Sequence, residues 1–442
     1  MRKLLIANRG EIAVRIIRAA RELGIETVAV ASEADAEALH ARAADSCIVI
    51  GPAAAGKSYL NEQLILDAAL SVGADAIHPG YGFLSERAAF AQAVIDAGLT
   101  WVGPNPSSIT QMGDKAQAIK TALAAGVPTI PGSNGPVASV DEAVEVAART
   151  GYPLVIKASA GGGGKGIRVA ADEAELRSLI PIAQAESLAA FGSDEVYLER
   201  MVTGAKHIEV QVFGDGETFV HLGERECSVQ RRRQKLIEET PAPLLPAAVR
   251  AEICSAAVAL AAAVKYHGAG TVEFLYEPKT SGYYFIEMNT RIQVEHPITE
   301  AVTGIDLVVE QLRVAAGEKL SFSQEDVMAR GHAIEVRLNA EDPSFQFMPS
   351  PGYLEKFNLP SGPFIRIDSG FTVGDTITPY YDSLLAKVIS WGRTREESLS
   401  RMRRALHEME VVGVKTTSSF LLQVIDSPGF IDGSYDTLFL ES

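Results

Sequence analysis

The stretch Leu4-Leu-Ile-Ala-Asn-Arg-Gly-Glu-Ile-Ala-Val-Arg-Ile-Ile-Arg-Ala-Ala-Arg-Glu-Leu23 carries two periodicities. The apolar run Leu4 to Ala7 is short and unbroken, which reads as a strand buried on both faces. From Ile12 to Leu23 the apolar positions recur at helical spacing. Short apolar runs then return at Thr27 to Val30, Ser46 to Ile50, Ala74 to Ile77 and Thr100 to Val102, with longer helical patterns between them. Strands alternating with helices predict a parallel sheet covered by helices. Asn8-Arg9-Gly10 then sits at the carboxyl end of the first strand, where open α/β sheets take their ligands.

The pattern changes after Pro104, and Gly-Val-Pro-Thr-Ile-Pro-Gly at 126–132 marks the start of a second α/β segment. That segment holds an apolar strand, Pro153 to Lys157, a glycine run from Gly161 to Gly164, and a strand at Glu195 to Glu199. From His207 onward strands are more numerous and alternate in polarity, as in Ile208-Glu-Val-Gln-Val-Phe213, which predicts a mixed or antiparallel sheet.

Composition narrows the function. With 442 residues and 47% hydrophobic content the chain is long enough for two to four domains. Its 56 acidic against 40 basic residues, net charge −16, argue against binding nucleic acid or anionic membrane. Cys47, Cys227 and Cys254 have neither metal-ligand spacing nor a disulfide framework, so a reducing compartment is expected. The N-terminal apolar run is broken at Asn8, unlike a signal peptide, and no run is long enough to span a membrane; a cytoplasmic location is expected.

Three segments point to chemistry. In Glu287-Met-Asn-Thr-Arg-Ile-Gln-Val-Glu295 the polar residues Glu287, Asn289, Arg291, Gln293 and Glu295 alternate with apolar or small ones. If the segment is extended, all five share one face. Burying two acids, an amide and an arginine together calls for a metal or an anion, although a strand with one solvated face has the same spacing. Glu273, on the preceding strand, would lie alongside Glu287 in a hairpin. The loop from Lys157 through Gly161 to Gly166 offers backbone N–H groups and two lysines to phosphate, or is a flexible turn. A competing match, Gly51-Pro-Ala-Ala-Ala-Gly-Lys-Ser58, fits the P-loop pattern but lacks a clean helix start after Lys57-Ser58. Gln230-Arg-Arg-Arg-Gln-Lys235 is the densest positive run, flanked by acids on both sides, which fits a small anion better than DNA. Lys115, His207, Tyr81 and Arg337 are single residues whose meaning depends on context.

Taken together the chain resembles the biotin carboxylase family of ATP-grasp enzymes over nearly its whole length. The matching strings are Ile-Ala-Asn-Arg-Gly-Glu-Ile-Ala at 6–13, His-Pro-Gly-Tyr-Gly-Phe-Leu-Ser-Glu at 78–86, Met-Gly-Asp-Lys at 112–115, Glu-Met-Asn-Thr-Arg-Ile-Gln-Val-Glu-His-Pro at 287–297 and Asn-Ala-Glu-Asp-Pro at 339–343. The resemblance implies an α/β and α+β chain with the ATP-grasp fold. An open parallel α/β domain would span 1–112, a linker and mobile glycine-loop lid 113–203, the catalytic core 204–325, and a mixed or antiparallel C-terminal sheet domain 326–442.

The resemblance also implies roles. Lys115, Lys157, Gly163, Gly164, Glu199, Arg200, Met201, Val202, His207, Gln230 and Arg233 would contact ATP. Glu273, Glu287 and Asn289 would hold magnesium (or manganese), whose preference for oxygen ligands suits them. Lys235, Arg291, Gln293, Val294 and Glu295 would bind bicarbonate, and Tyr81 and Arg337 biotin; Arg291, Glu295, Lys235 and Arg337 would be catalytic. The chain differs from the family's common pattern at Arg233, often histidine, in a longer turn at 277–282, and at Thr203 to Lys206. It ends without a biotinyl Ala-Met-Lys-Met segment or a transferase domain. The expected partners are therefore a biotin carboxyl carrier protein, carboxyltransferase subunits and a second copy of the chain, joined near Arg18, Glu22, Phe364 and Arg366. Three readings compete with that of the biotin carboxylase subunit of an acetyl-CoA or other acyl-CoA carboxylase: the same subunit of a different biotin-dependent carboxylase, such as one acting on propionyl-CoA or urea, a carboxylate–amine ligase of the same fold, and a catalytically silent nucleotide-binding protein.

Overall fold

A computed structural model describes residues 1–133, 135–158 and 167–441. The chain divides into a larger unit, Met1–Gly113, Lys206–Glu273 and Met288–Ser442, and a smaller one, Asp114–Ala205 and Phe274–Glu287.

The larger unit opens with the predicted parallel sheet. Its strands are β1 (Lys3–Ile6), β2 (Glu26–Ala31), β3 (Ser46–Val49), β4 (Ala76–His78) and β5 (Thr100–Trp101), in the order β3-β2-β1-β4-β5. The unbroken apolar run of β1 follows from burial on both sides. Leu4 and Ile6 pack in one core cluster with Ile12 and Ile16 of helix α1 (Gly10–Glu22), while Leu5 and Ala7 pack in another with Val28, Phe90 and Trp101. Each valine, leucine, isoleucine or phenylalanine among them contributes about 1.5–3 kcal/mol by leaving water. The strand order reverses between β1 and β4, and Asn8 lies there: its Nδ2 donates to the carbonyls of Pro79 and Tyr81, both at 2.7 Å. Gly80 has φ +62, and a Cβ on it would lie 2.9 Å from Asn8 Nδ2, so glycine is needed for this close approach.

The smaller unit contains a three-stranded antiparallel sheet, β6 (Leu154–Ala158), β7 (Ile167–Ala170) and β8 (Val196–Arg200), with β6 central. Helices Val140–Thr150 and Glu173–Phe191 flank it around a core that includes Val146, Leu154, Ile156, Leu176 and Leu198.

A second sheet is built from β9 (Lys206–Asp215), β10 (Phe219–Arg231), β11 (Gln234–Thr240), β12 (His267–Glu277), β13 (Gly282–Asn289), β14 (His332–Asn339) and the strands Ile365–Ser369 and Leu384–Gly392. Its order is β13-β12-β9-β10-β11-β14, then Leu384–Gly392 and Ile365–Ser369. The pairs β9–β10, β10–β11, β11–β14 and those beyond β14 are antiparallel, as the polarity pattern predicts. Period two sorts β14: Ile334 and Val336 pack with Leu399 and Met402 of the helix Arg395–Glu408, which sends Glu335 and Arg337 to the other face.

One alternative falls away and one local reading changes. The P-loop match is accidental: only one 3-10 turn, Ala55–Lys57, follows β3, and the next helix starts at Glu62 behind its cap Asn61. Ser58 is buried and donates to the Ala54 carbonyl at 3.1 Å. The extended reading of 287–295 fails after Asn289, where β13 ends. There the Thr290 N–H bonds to Glu86, and Pro297 opens the helix His296–Thr303. Among the described residues no helix is long and apolar enough to cross a membrane.

Candidate active site

In the larger unit the basic run becomes a tight hairpin. Gln230 pairs with Lys235 and Arg231 with Gln234, leaving Arg232 (φ 50) and Arg233 (φ 66) as a two-residue turn of left-handed backbone. Arg233 is exposed at the tip and Gln230 half-buried, whereas Lys235 points into a buried polar cluster. Its Nζ donates to Glu209 at 2.5 Å, Glu273 at 2.9 Å and Glu295 at 2.8 Å. Burial opposes this charge, but the three carboxylates outweigh burial and hold the ammonium well above its ordinary pKa.

Glu273, on β12, accepts on Oε1 from Asn289 (2.9 Å) and Gln293 (3.1 Å) as well as from Lys235, and His207 Nε2 lies 2.9 Å from its Oε2. Although burial favours the neutral acid, Lys235 and His207 hold Glu273 well below the usual carboxylate range. For His207 burial favours the neutral ring, yet Glu273 raises its pKa above the ordinary value. Arg291 donates to Glu86 at 2.9 Å, to Asn289 Oδ1 at 3.0 Å and to Gln293 at 3.2 Å.

Glu295 lies where two cations meet. Lys235 takes its Oε1, and Arg337 NH2 donates to its Oε2 at 2.9 Å, while Arg337 Nε donates to Glu238 at 2.7 Å. Against the effect of burial, Lys235, Arg337 and Arg225 hold Glu295 well below its ordinary pKa. Burial, partly offset by Arg337, lifts Glu238 to about 7. Tyr81 donates its hydroxyl to Glu11, and burial and that carboxylate raise the phenol well above its ordinary pKa. Val294 offers its carbonyl to Lys387 at 2.9 Å.

Thus His207, Lys235, Glu273, Asn289, Arg291, Gln293, Glu295 and Arg337 form one buried network. Sequence reasoning missed Glu209, Arg225, Glu86, Glu238 and Glu11. Arg225 is fully buried and bonds Glu209 (2.5 Å), Gln211 (2.7 Å), Thr299 (2.9 Å) and Thr271 (3.1 Å). The signal for Glu209 and Gln211 lay in Ile208 to Phe213, whose alternating polar residues are buried, not solvated.

The smaller unit holds a cavity lined by Lys115, Ile130, Lys157, Tyr197, Glu199, Leu275, Phe285 and Ile286. Its apolar walls with a few charged groups suit a planar ring bearing polar edges. Lys157 is paired with Glu199 across β6 and β8. Lys115 opens a helix capped by Asp114, and its Nζ stands 5.4 Å from the Tyr197 ring centre. Arg200 turns to Glu277 and Tyr284, both at 2.9 Å, and Met201 and Val202 follow β8 half-buried. Glu287 is exposed. Gly163 and Gly164 lie outside the described residues.

Three family models match in order: "Biotin carboxylase, N-terminal domain" over residues 1–109, "Carbamoyl-phosphate synthase L chain, ATP binding domain" over 114–323 and "Biotin carboxylase C-terminal domain" over 335–442. Biotin carboxylase 1 of Bacillus subtilis is 54% identical over 100% of this chain and 98% of its own length. The biotin carboxylase of Pseudomonas aeruginosa is 51% identical over 100% of this chain and 98% of its own length. Among solved structures, the biotin carboxylase domain dimer of Hydrogenobacter thermophilus 2-oxoglutarate carboxylase, in complex with MgADP, ADP and bicarbonate, has TM-score 0.91 and 48% identity, covering 100% of this chain and 97% of that one. With its parallel N-terminal sheet, its second, largely antiparallel sheet and its buried carboxylate–cation network, the chain belongs to the biotin carboxylase family of ATP-grasp enzymes.

Proposed function

We propose that the chain uses ATP and bicarbonate to carboxylate biotin borne on a separate carrier protein, the first half-reaction of an acyl-CoA carboxylase. The observation that carries this reading is the placement of Glu295 between Lys235 and Arg337. A carboxylate kept ionised beside two cations takes a proton from bicarbonate while the cations hold the anion. The bicarbonate oxygen then attacks the γ-phosphate, ADP leaves, and carboxyphosphate results. Lys235, the planar fork of Arg291, Gln293 and Val294 hold bicarbonate. Carboxyphosphate decomposes to CO2 and phosphate, the phosphate takes the N1′ proton of biotin, and the enolate, stabilised by Arg337 while Tyr81 lies against the ring, attacks CO2 through N1′ to give carboxybiotin.

ATP is assigned to Lys115, Lys157, Gly163, Gly164, Glu199, Arg200, Met201, Val202, His207, Gln230 and Arg233. Glu273, Asn289 and Glu287 offer only oxygen donors if Asn289 turns its carbonyl inward, which fits magnesium or manganese. A metal ion held by these residues would neutralise charge on the phosphates. The four segments 1–112, 113–203, 204–325 and 326–442 are taken as the working parts, acting in the cytoplasm as a homodimer alongside carboxyltransferase subunits.

The test is ADP release with Mg-ATP and bicarbonate, with and without free biotin. Biotin should stimulate turnover in the native chain, and Arg337→Ala should lower the biotin-dependent part by about 100-fold, more than it lowers the biotin-independent part. ATP hydrolysis indifferent to biotin, or dependent on an added amine, would instead support the ligase reading.

A further inference from the structure

Lys387 has no role in the steps above, yet its side chain is fully buried. A buried ammonium is costly unless carboxylates and hydrogen bonds surround it. Its Nζ stands 3.1 Å from Glu11 Oε2 and 3.9 Å from Asp368 Oδ2, and it donates at 2.9 Å to the carbonyl of Val294. Lys387 lies on the strand Leu384–Gly392, opposite Arg337 on one side and Asp368 on the other. Glu11, at the start of α1, is buried too and accepts the hydroxyl of Tyr81. One ammonium therefore joins the loop that leads into Glu295 to the helix end that holds Tyr81.

We propose that Lys387 is a positioning residue that fixes the bicarbonate side of the site, through the Val294 carbonyl, relative to the biotin side, through Glu11 and Tyr81. The inference rests on the function proposed above. The Val294 carbonyl belongs to the peptide that ends at the Glu295 nitrogen, so holding it sets the plane from which the Glu295 carboxylate projects. Neutralising Glu11 does not require that third bond. The bond to Val294 is what separates positioning from simple charge matching.

The experiment uses the full chain and measures KM for bicarbonate, KM for biotin, kcat, Mg-ATP affinity and thermal stability. Lys387→Met alone leaves two buried acids facing a methyl group and puts folding at risk, so the charge-matched Glu11→Gln/Lys387→Met variant and Lys387→Arg are made beside it. Loss of a hydrogen bond from a charged donor predicts about a tenfold or greater rise in KM for bicarbonate in the charge-matched variant, with Mg-ATP affinity unchanged. Lys387→Arg, which keeps the charge but not the reach, should shift the same constant in the same direction. Tyr81→Phe should raise KM for biotin alone. A charge-matched variant with native KM for bicarbonate, or one in which both KM values rise and kcat, Mg-ATP affinity and stability fall together, overturns the proposal. If the native chain shows no bicarbonate-dependent ADP release, the parent reading fails first, and the native arm alone reveals it.

Discussion

Glu295 is 0% exposed and takes a cation on each oxygen, an arrangement that costs desolvation on both sides. Such a group keeps its charge through any ordinary working pH, but the same cations weaken it as a base, so bicarbonate must draw one of them away before Glu295 takes a proton. Glu295→Gln preserves shape and removes that capacity. The expected outcome is a drop of about 100-fold or more in bicarbonate-dependent ADP release, with Mg-ATP affinity kept; a drop under threefold would remove Glu295 from the chemistry. Lys235 was legible as the end of the basic run 230–235, Glu273 from its place on the strand before 287–295, and Arg337 because it lies beside the matching string at 339–343. Glu209, Glu238 and Glu11 were not, since a glutamate within an alternating strand or a helix's first turn looks like a solvated one. Only the structure shows that both faces are covered there, with all three acids buried.

At the scale of elements, each of the five parallel strands was visible in the sequence as a short apolar run; two covered faces demand one in β1, β2 and β4, whereas the edge strand β3 is largely exposed. The loop 51–58 matches a phosphate loop in pattern alone, since a phosphate loop needs a helix directly behind it and here the helix waits for Asn61. Lys57→Ala should therefore change KM for ATP by less than twofold, as steady-state kinetics would show. The segment 287–295 was read as one strand for the opposite reason: period two continues past Asn289 although the strand does not. The burial of Asn289, Gln293 and Glu295 is what the alternation recorded. Tight packing beside Glu11 gives a further prediction. A Cβ on Gly370 would lie 2.6 Å from the Glu11 nitrogen, so Gly370→Ala should destabilise by about 1–3 kcal/mol in chemical denaturation.

Across the larger unit a second charge network secures the end of the chain. Glu239 bonds His332 (2.6 Å), Arg395 (2.7 and 2.9 Å) and Tyr435 (2.5 Å), while Arg395 also donates to the carbonyls of Phe430 and Ile431. Burial favours neutral Glu239, but His332 and Arg395 lower its pKa to about 2. Its folded pKa lies below its unfolded value of 4.5, so its stabilisation is present above that value and is lost as pH falls towards about 2. Glu239→Gln should be less stable at neutral pH and show a flatter decline between pH 4.5 and 2 than the native chain in thermal unfolding. Equal slopes would contradict the role given to Glu239. None of this network was visible in sequence, because its members are spread from residue 239 to 435 with no motif to join them.

If bicarbonate, and not water, attacks ATP, one of its oxygens must leave with the phosphate. With 18O-labelled bicarbonate, Mg-ATP and biotin, the inorganic phosphate released should carry one labelled oxygen, and that label should be lost together with turnover in Glu295→Gln. Phosphate carrying only solvent oxygen, released at the native rate, would show that water attacks ATP and would contradict the mechanism proposed for this site.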